Sequence, residues 1–303
     1  MNIFNIIRKS TEKSSGKKRV LILGAEGMLG HDIFNVLYES YEVVGKGRRE
    51  VDVTMVSDLS RTITSIKPDF VVNASGYTKV ESAEDQPEEA FKVNAEALKN
   101  ISSACNRTGS LLVHIGTDFI FNGEKIGPYT EEDEPSPLNV YGESKLEGEK
   151  ELVSSGCEYL IVRTQWLFGP HGKNFVFSII DKLNKDGKAS VVDDQYGCPT
   201  YTVDLARAVL KLMRLNQRGI FHFSGSGEVS WYGFACKIAE YSIPEEVNII
   251  PLKSSDLRMK ARRPRNSVLS KEKYSMVVGE NPRLWEEMLR DFLRRTFEGG
   301  VAW

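Results

Sequence analysis

The chain has 303 residues, 41% of them hydrophobic and 27% charged, with a net charge of −2. This is the composition of an ordinary globular protein with room for one large domain or two moderate ones. It gives no electrostatic basis for binding nucleic acid or an anionic membrane, and no apolar run is long enough to span a bilayer. Residues 1–18 open with a short apolar stretch followed by Ser, Gly and Lys, the reverse of a secretory leader's order, and read as a mobile extension. Cys105, Cys157, Cys198 and Cys236 are dispersed, with no CxxC and no neighbouring His pair. That predicts a reduced, cytoplasmic setting and no metal site.

From Arg19 the chain alternates short apolar strands with helical patterns. RVLIL runs into the glycine-rich GAEGMLG and a helix over HDIFNVLYES. YEVVGKG reads as the second strand, DVTMVSDLSRTITSI as a helix closed by Lys67-Pro68, and DFVVNASG as the third strand. A single helix is expected from Pro87 to Gly109, then the strand SLLVHIGT. The proline- and acid-rich GPYTEEDEPSPLN is a loop. A helix over about 141–155 follows, its Glu/Lys pattern that of a solvated outer face, and then the strand YLIVRTQWLFG. Strands separated by helices predict an α/β fold, a doubly wound parallel sheet of the Rossmann type. After HGKNF the pattern becomes irregular, which predicts a smaller interleaved α/β lobe. The dinucleotide-binding domain is expected over 19–167 with 190–218 and 277–303, and the lobe over 168–189 with 219–276.

Gly24, Gly27 and Gly30 form GxxGxxG between a strand and a helix, where small residues admit a pyrophosphate to the helix N-terminus. At the tip of the second strand, Arg48 and Arg49 suit a 2′-phosphate, which favours NADPH over NADH; Asp52 and Val53 follow, placed to face the adenine. Ala74, Ser75 and Gly76 close the third strand with the small residues that a ligand at a sheet edge requires. Thr117 ends the fourth strand, and Tyr141 and Lys145 lie 24 and 28 residues beyond it. The four-residue gap puts Tyr141 and Lys145 on one helix face, where the ammonium is expected to lower the phenol from its usual pKa of about 10. Each feature alone has a bland reading, as turn glycine, strand-end cap or surface pair; in this order they predict ketone reduction. His114 reads as a core histidine, His31 as a helix-surface residue, and Glu131 to Glu134 as a solvated loop. Trp166, at a strand exit, offers a flat face to a sugar.

These residues, with VVNASGYTKVESAE, HIGTDFIFNG, PYTEEDEPSPLNVYGESKLEGE, RTQWLFGPHGKNFV, VVDDQYGCPTYT and RRPRNSVLS, resemble the extended short-chain dehydrogenase/reductase superfamily. Within it, the chain is similar to the dTDP-4-dehydrorhamnose reductase family. The resemblance implies catalytic roles for Thr117, Tyr141 and Lys145. It implies cofactor contacts for Met28 and Leu29 in the glycine loop, for Arg48, and for Ala74 to Tyr77. It implies a sugar pocket lined by Thr78, Val80, Asp118, Phe119 and Trp166. NADPH reduction of a nucleotide-linked 4-keto-6-deoxy sugar is the activity implied. Phe119 stands where the family usually has Tyr, and Gly116 where it has Ser, which bears on the choice of sugar. Homodimers are implied as well, in some members with Mg²⁺ at the contact, although no ligand set in the sequence specifies one. The alternative from another class is a dinucleotide-binding regulatory subunit resembling the beta subunit of methionine adenosyltransferase.

Overall fold

The structure, a computed structural model, describes residues 16–243 and 245–298. The extension expected over 1–18 therefore lies mostly outside the described residues. β1 (Arg19–Leu23) leads through the glycine loop into α1 (Met28–Tyr38), followed by β2 (Glu42–Lys46), α2 (Val56–Ile66) and β3 (Phe70–Asn73). Next come α3 (Val80–Asp85), α4 (Pro87–Phe91) and α5 (Ala97–Thr108), with a π-helical turn over Lys92–Glu96 joining the last two. β4 (Leu111–Thr117), α6 (Val140–Ser154), β5 (Tyr159–Thr164), β6 (Leu167–Phe168) and α7 (Phe175–Asp186) continue the chain. It proceeds through β7 (Lys188–Val192), β8 (Tyr196–Gly197), β9 (Thr200–Tyr201), α8 (Thr202–Arg214), β10 (Gly219–His222) and β11 (Val229–Ser230). α9 (Trp231–Ser242), β12 (Asn248–Leu252), α10 (Glu272–Val278) and α11 (Trp285–Leu293) complete it.

Six parallel strands form the main sheet in the order β2-β1-β3-β4-β5-β10. Because strand side chains alternate between faces, Val20, Ile22, Val72 and Val113 pack with α1 and α8 on one side, and Leu21, Leu23, Val71 and Leu112 pack with α2 and α5 on the other. Strand order reverses between β1 and β3, so a crevice opens at their carboxyl ends, where folds of this kind bind ligands. Local chemistry sets the element ends. Asn139 caps α6 by accepting the Gly142 N–H at 2.8 Å, and Gly109, at φ 70°, takes the left-handed position that ends α5.

A second apolar cluster joins α7, α9 and α11 around Phe168, Phe234, Trp285 and Phe292, beside the parallel pair β7·β12. Two expected boundaries shift here. Residues 219–222 are the outer strand of the main sheet, and Tyr274 of α10 packs into the main core. Residues 190–192 of β7 and residues 285–293 of α11 belong to the second cluster. Both exchanges join elements far apart in the chain, which local periodicity does not encode. α6 keeps the solvated outer face expected of it, with Glu143 and Lys150 exposed, but not all of its Glu/Lys pattern lies there. Its inner face buries Tyr141, Lys145 and Glu149, and Glu149 Oε2 accepts from Arg163 of β5 twice, from Nε at 3.0 Å and from Nη2 at 2.7 Å. A polar residue buried with its partner reads in sequence as an exposed one.

Candidate active site

The glycine loop turns back under β3. Gly24 has φ 79°, and a Cβ there would lie 2.8 Å from the Ser75 backbone nitrogen, while one at Gly30 would lie 2.1 Å from the Gly24 carbonyl oxygen. Both positions need glycine for close packing. Gly27, the N-cap of α1, brings no side chain to cap it and the first turn holds no acid, so the orphan N–H groups at this end have no partner from a capping side chain. A cavity of about 320 Å³ is lined there by Gly24, Glu26, Gly27, Arg48, Asp52, Val53, Ala74, Ser75 and Gly76. Arg48 reaches weakly toward Asp52 and Glu89, at 4.0 and 3.9 Å. Arg49 is exposed and outside this lining, and Gly30 is buried behind it.

A larger cleft of about 630 Å³ shares Gly27 and Ala74 to Gly76 with that cavity. It brings together Met28, Leu29, Thr78, Val80, Thr117, Phe119, Tyr141, Lys145 and Trp166, residues that lie far apart along the chain. Tyr77 is not part of its lining; its hydroxyl donates to Gln86 Oε1 at 3.0 Å. Asp118 lies behind the wall, 2% exposed, accepting the Thr117 hydroxyl at 3.2 Å through Oδ1. Among the described residues its Oδ2 has no hydrogen-bond partner. Burial raises this carboxyl to about 7, with the Thr117 hydrogen bond opposing.

The electrostatics of Tyr141 differ from the sequence expectation. Burial pushes its phenol up to about 12; the hydrogen bond with Thr117 opposes this, and the Asp118 carboxylate adds to it. Lys145 does not offset the burial, because its stem runs inward and its Nζ donates to the Ile115 carbonyl at 2.7 Å and lies 3.2 Å from His114 Nε2. Burial draws the lysine down to about 8, with Glu149 opposing. The tautomer of His114 follows from its other neighbour. Asn73 Oδ1 accepts the Ser75 N–H and hydroxyl, so its amide nitrogen points at His114 Nδ1, 3.2 Å away. Nδ1 must then accept, which leaves the proton on Nε2, facing Lys145. An ammonium there meets an N–H where a lone pair would suit it. His114 is thus the core histidine expected, paired through Nδ1 with Asn73, and its Nε2 fixes the lysine's surroundings.

Trp166 takes φ 47°, a left-handed backbone uncommon outside glycine, and its ring stacks on Trp231 at 3.5 Å and 9°. Gly197 leaves room for it, since a Cβ there would lie 2.5 Å from Trp166 Cε2. The paired indoles and Phe119 continue the cleft into a cavity of about 270 Å³ between the main sheet and the second cluster. Phe119 meets the Tyr141 ring edge-on at 5.5 Å. Three contributors escape sequence reasoning. Glu26 folds over Gly47 into the small cavity; Asn94, presented by the π-helical turn, holds both polar groups of the Tyr77 backbone and the Ser144 hydroxyl; Trp231 comes from residues expected in the lobe. Only the helix irregularity at 92–96 could have hinted at Asn94, since π-turns gather at functional sites. His31 touches His171 ring to ring, and of the loop acids, Glu131 accepts the His222 N–H and Asp133 pairs with Lys125.

The family of RmlD substrate-binding domains matches residues 18–297. The dTDP-4-dehydrorhamnose reductase of Aggregatibacter actinomycetemcomitans is 35% identical over 286 residues, 90% of this chain and 97% of its own. A dTDP-4-keto-6-deoxy-D-glucose reductase of Streptomyces niveus is 34% identical over 253 residues, 83% of this chain and 88% of its own. The crystal structure of dTDP-4-dehydrorhamnose reductase from Bacillus anthracis in complex with NADP is similar with a TM-score of 0.89 at 35% identity, covering 93% of this chain and all of that one. No helix among the described residues is long and apolar enough to cross a membrane. The parallel sheet with its glycine crevice, the shared cleft and the extent of these matches agree: the chain belongs to the RmlD substrate-binding-domain family, that of the dTDP-4-dehydrorhamnose reductases.

Proposed function

We propose that the protein reduces the C4 ketone of dTDP-4-dehydro-L-rhamnose to the alcohol of dTDP-L-rhamnose with NADPH. The observation that carries this reading is the convergence of Thr117, Tyr141 and Lys145 on one cleft continuous with the glycine-lined cavity. The uncapped start of α1 and the glycine cradle fit a pyrophosphate, and Arg48 is the cation for a 2′-phosphate. When bound, the reduced nicotinamide supplies hydride. Tyr141 delivers the proton to the oxygen as C4 becomes tetrahedral, and a phenol held near 12 is fully loaded with that proton at neutral pH. Thr117, once its hydroxyl turns from Asp118 Oδ1 to the same oxygen, gives a donor where negative charge develops. Lys145 holds the nicotinamide ribose and, once turned from Ile115 toward the cleft, brings a positive charge to the phenol. Trp166 and Trp231 give the hexose its apolar face.

The dTDP portion extends past Phe119 into the neighbouring cavity, where Arg263 stands on the wall, paired with Glu81 at 2.6 Å. Phe119 offers that sugar no hydroxyl, a feature that suits another dTDP-linked 4-keto-6-deoxy sugar as the second reading. The test is NADPH oxidation with a panel of dTDP-, GDP- and UDP-linked 4-keto-6-deoxy sugars. We expect turnover with dTDP-4-dehydrorhamnose above all others. Faster turnover of a different dTDP sugar moves the assignment to the second reading, and no oxidation with any of them leaves a dinucleotide-binding regulatory subunit.

A further inference from the structure

We propose that Asn73 and His114 are positioning residues that hold the Lys145 amine uncharged in the cofactor-free protein, and that Lys145 takes up a proton when NADPH binds. The inference deepens the proposed function, since it rests on the reading that Lys145 leaves Ile115 for the nicotinamide ribose. Asn73 and His114 are partners in register on the neighbouring parallel strands β3 and β4, so their side chains leave the sheet on the same face, where His114 meets Lys145 of α6. Hydrogen bonds then fix where the protons sit. A backbone N–H only donates, so the Asn73 atom that meets the Ser75 N–H at 3.1 Å is its oxygen, and the amide nitrogen is turned to His114. That nitrogen only donates, so His114 Nδ1 accepts from it, 3.2 Å away, and the neutral ring carries its proton on Nε2. Nε2–H in turn donates toward Lys145 Nζ at 3.2 Å. Only an uncharged amine has a lone pair to receive it, and such an amine still donates to the Ile115 carbonyl at 2.7 Å. An ammonium in the same place would set its positive charge against an N–H.

Burial keeps this arrangement from being bypassed. Asn73, His114 and Lys145 are 4%, 1% and 5% exposed, so bulk water is not at hand to supply the acceptor that an ammonium would need. The imidazole stays neutral, because burial and the adjacent lysine lower His114 well below its ordinary value. The titratable and charged groups around Lys145 are Tyr141 and Glu149 on α6, Arg163 on β5, and His114 and Asp118 on β4 and the turn after it. Burial draws the lysine down to about 8; Glu149 opposes this, but its charge is shared with Arg163. The donor chain begins at Ser75, which lines both the glycine-rich cavity and the larger cleft, and ends at Lys145, which lines the cleft. Once turned into the cleft, Lys145 leaves Nε2–H behind and meets hydroxyl oxygens. These accept from an ammonium, so the amine is charged as it moves and is then the cation that the phenol of Tyr141 lacks in the cofactor-free protein.

The test counts protons. NADPH is titrated calorimetrically into the full chain in buffers of different ionisation enthalpy. With Lys145 at about 8 in the free protein, uptake of about 0.9 proton per NADPH is expected at pH 9 and about 0.1 at pH 7. Asn73→Asp keeps an oxygen for Ser75 and gives His114 an acceptor in place of a donor. The ring proton then moves to Nδ1, Nε2 offers a lone pair, and Lys145 is charged before NADPH arrives, so uptake at pH 9 should fall to about a third of wild type or less. His114→Gln, whose amide can turn its oxygen to the lysine, should act in the same direction and serves if the first variant does not fold. Nitrogen NMR of protein with labelled histidine, in which His114 is identified by its loss in His114→Gln, should show the proton on Nε2 in the wild type and on Nδ1 in Asn73→Asp. Absence of uptake at pH 9 in a wild type that binds NADPH, unchanged uptake in the variants, or a wild-type ring protonated on Nδ1 overturns the proposal. Uptake that persists in Lys145→Met overturns it as well. None of these readouts needs a sugar. Failure to oxidise NADPH with any sugar strikes the proposed reaction and leaves the proton count standing, whereas failure to bind NADPH strikes both.

Discussion

At the glycine-lined end of the cleft the walls hold backbone N–H groups, small residues and one arginine whose side chain is 77% exposed. At the other end, Thr117, Asp118, Tyr141 and Lys145 are all at least nine-tenths buried. The first end works by shape, and its single cation is screened by water and salt. The second works by charge in a medium where every ionisation is displaced. Asp118 and Tyr141 are pushed up and Lys145 is drawn down, so each group is biased toward its neutral form. A substitution at the buried end should therefore alter rate or pH response strongly, and one at the exposed end should alter cofactor affinity mildly.

The largest effect is expected at Tyr141. Tyr141→Phe removes the proton donor and keeps the ring that Phe119 packs against. Turnover should fall by about 10³-fold, within the range of a lost general acid, while NADPH affinity measured by fluorescence stays within about twofold. Turnover equal to wild type would remove the tyrosine from the chemistry and break the contrast between the two ends.

Asp118 gives the next largest effect. Its folded-state pKa of about 7 lies above the unfolded value of 3.8, so its contribution to stability is full below about pH 4 and is lost as pH rises through 7. Asp118→Asn keeps the shape and removes the buried ionisation, which should stabilise the protein by about 2–4 kcal/mol at pH 8. Thermal melts should show the variant about 5 °C higher at pH 8, with the gap narrowing on acidification and closing near pH 4. A gap independent of pH would mean that the carboxylate is not the source.

How much of this was legible in the sequence follows the same division. The main sheet, the glycine loop and the position of Thr117 were readable, because short apolar strands, glycines at a strand–helix turn and strand ends are local signals. Tyr141 and Lys145 were readable as a pair, but the charge state of Tyr141 was not. That state depends on the inward turn of the lysine toward Ile115 and on the orientation imposed on His114 by Asn73 and Ser75. The burial of Glu149 was hidden for a similar reason: it looks solvated until Arg163, on β5, is seen to satisfy it. The parts of β7, β10 and α11 assigned to the wrong core, and the arrival of Trp231 beside Trp166, depend on contacts between distant segments that no window of sequence contains.

The smallest effects should sharpen the exposed end. Arg48 is the cation in the small cavity, but the Glu26 carboxyl folds over Gly47 on the same wall, and Asp52 stands 4.0 Å from Arg48. An anion near a 2′-phosphate opposes what the arginine favours, and an acid in that place suits a 2′-hydroxyl instead. Arg48→Ala should raise the KM for NADPH by about five- to tenfold and leave that for NADH nearly unchanged, an effect of the size expected for an exposed charge-assisted contact. Glu26→Gln should lower the KM for NADPH by about two- to fivefold, again with little change for NADH. Both shifts should shrink as salt is raised, because screening acts on exposed charges first. Equal changes for the two cofactors would place Arg48 against the pyrophosphate instead of the 2′-phosphate, and the preference for NADPH would then have to come from shape alone.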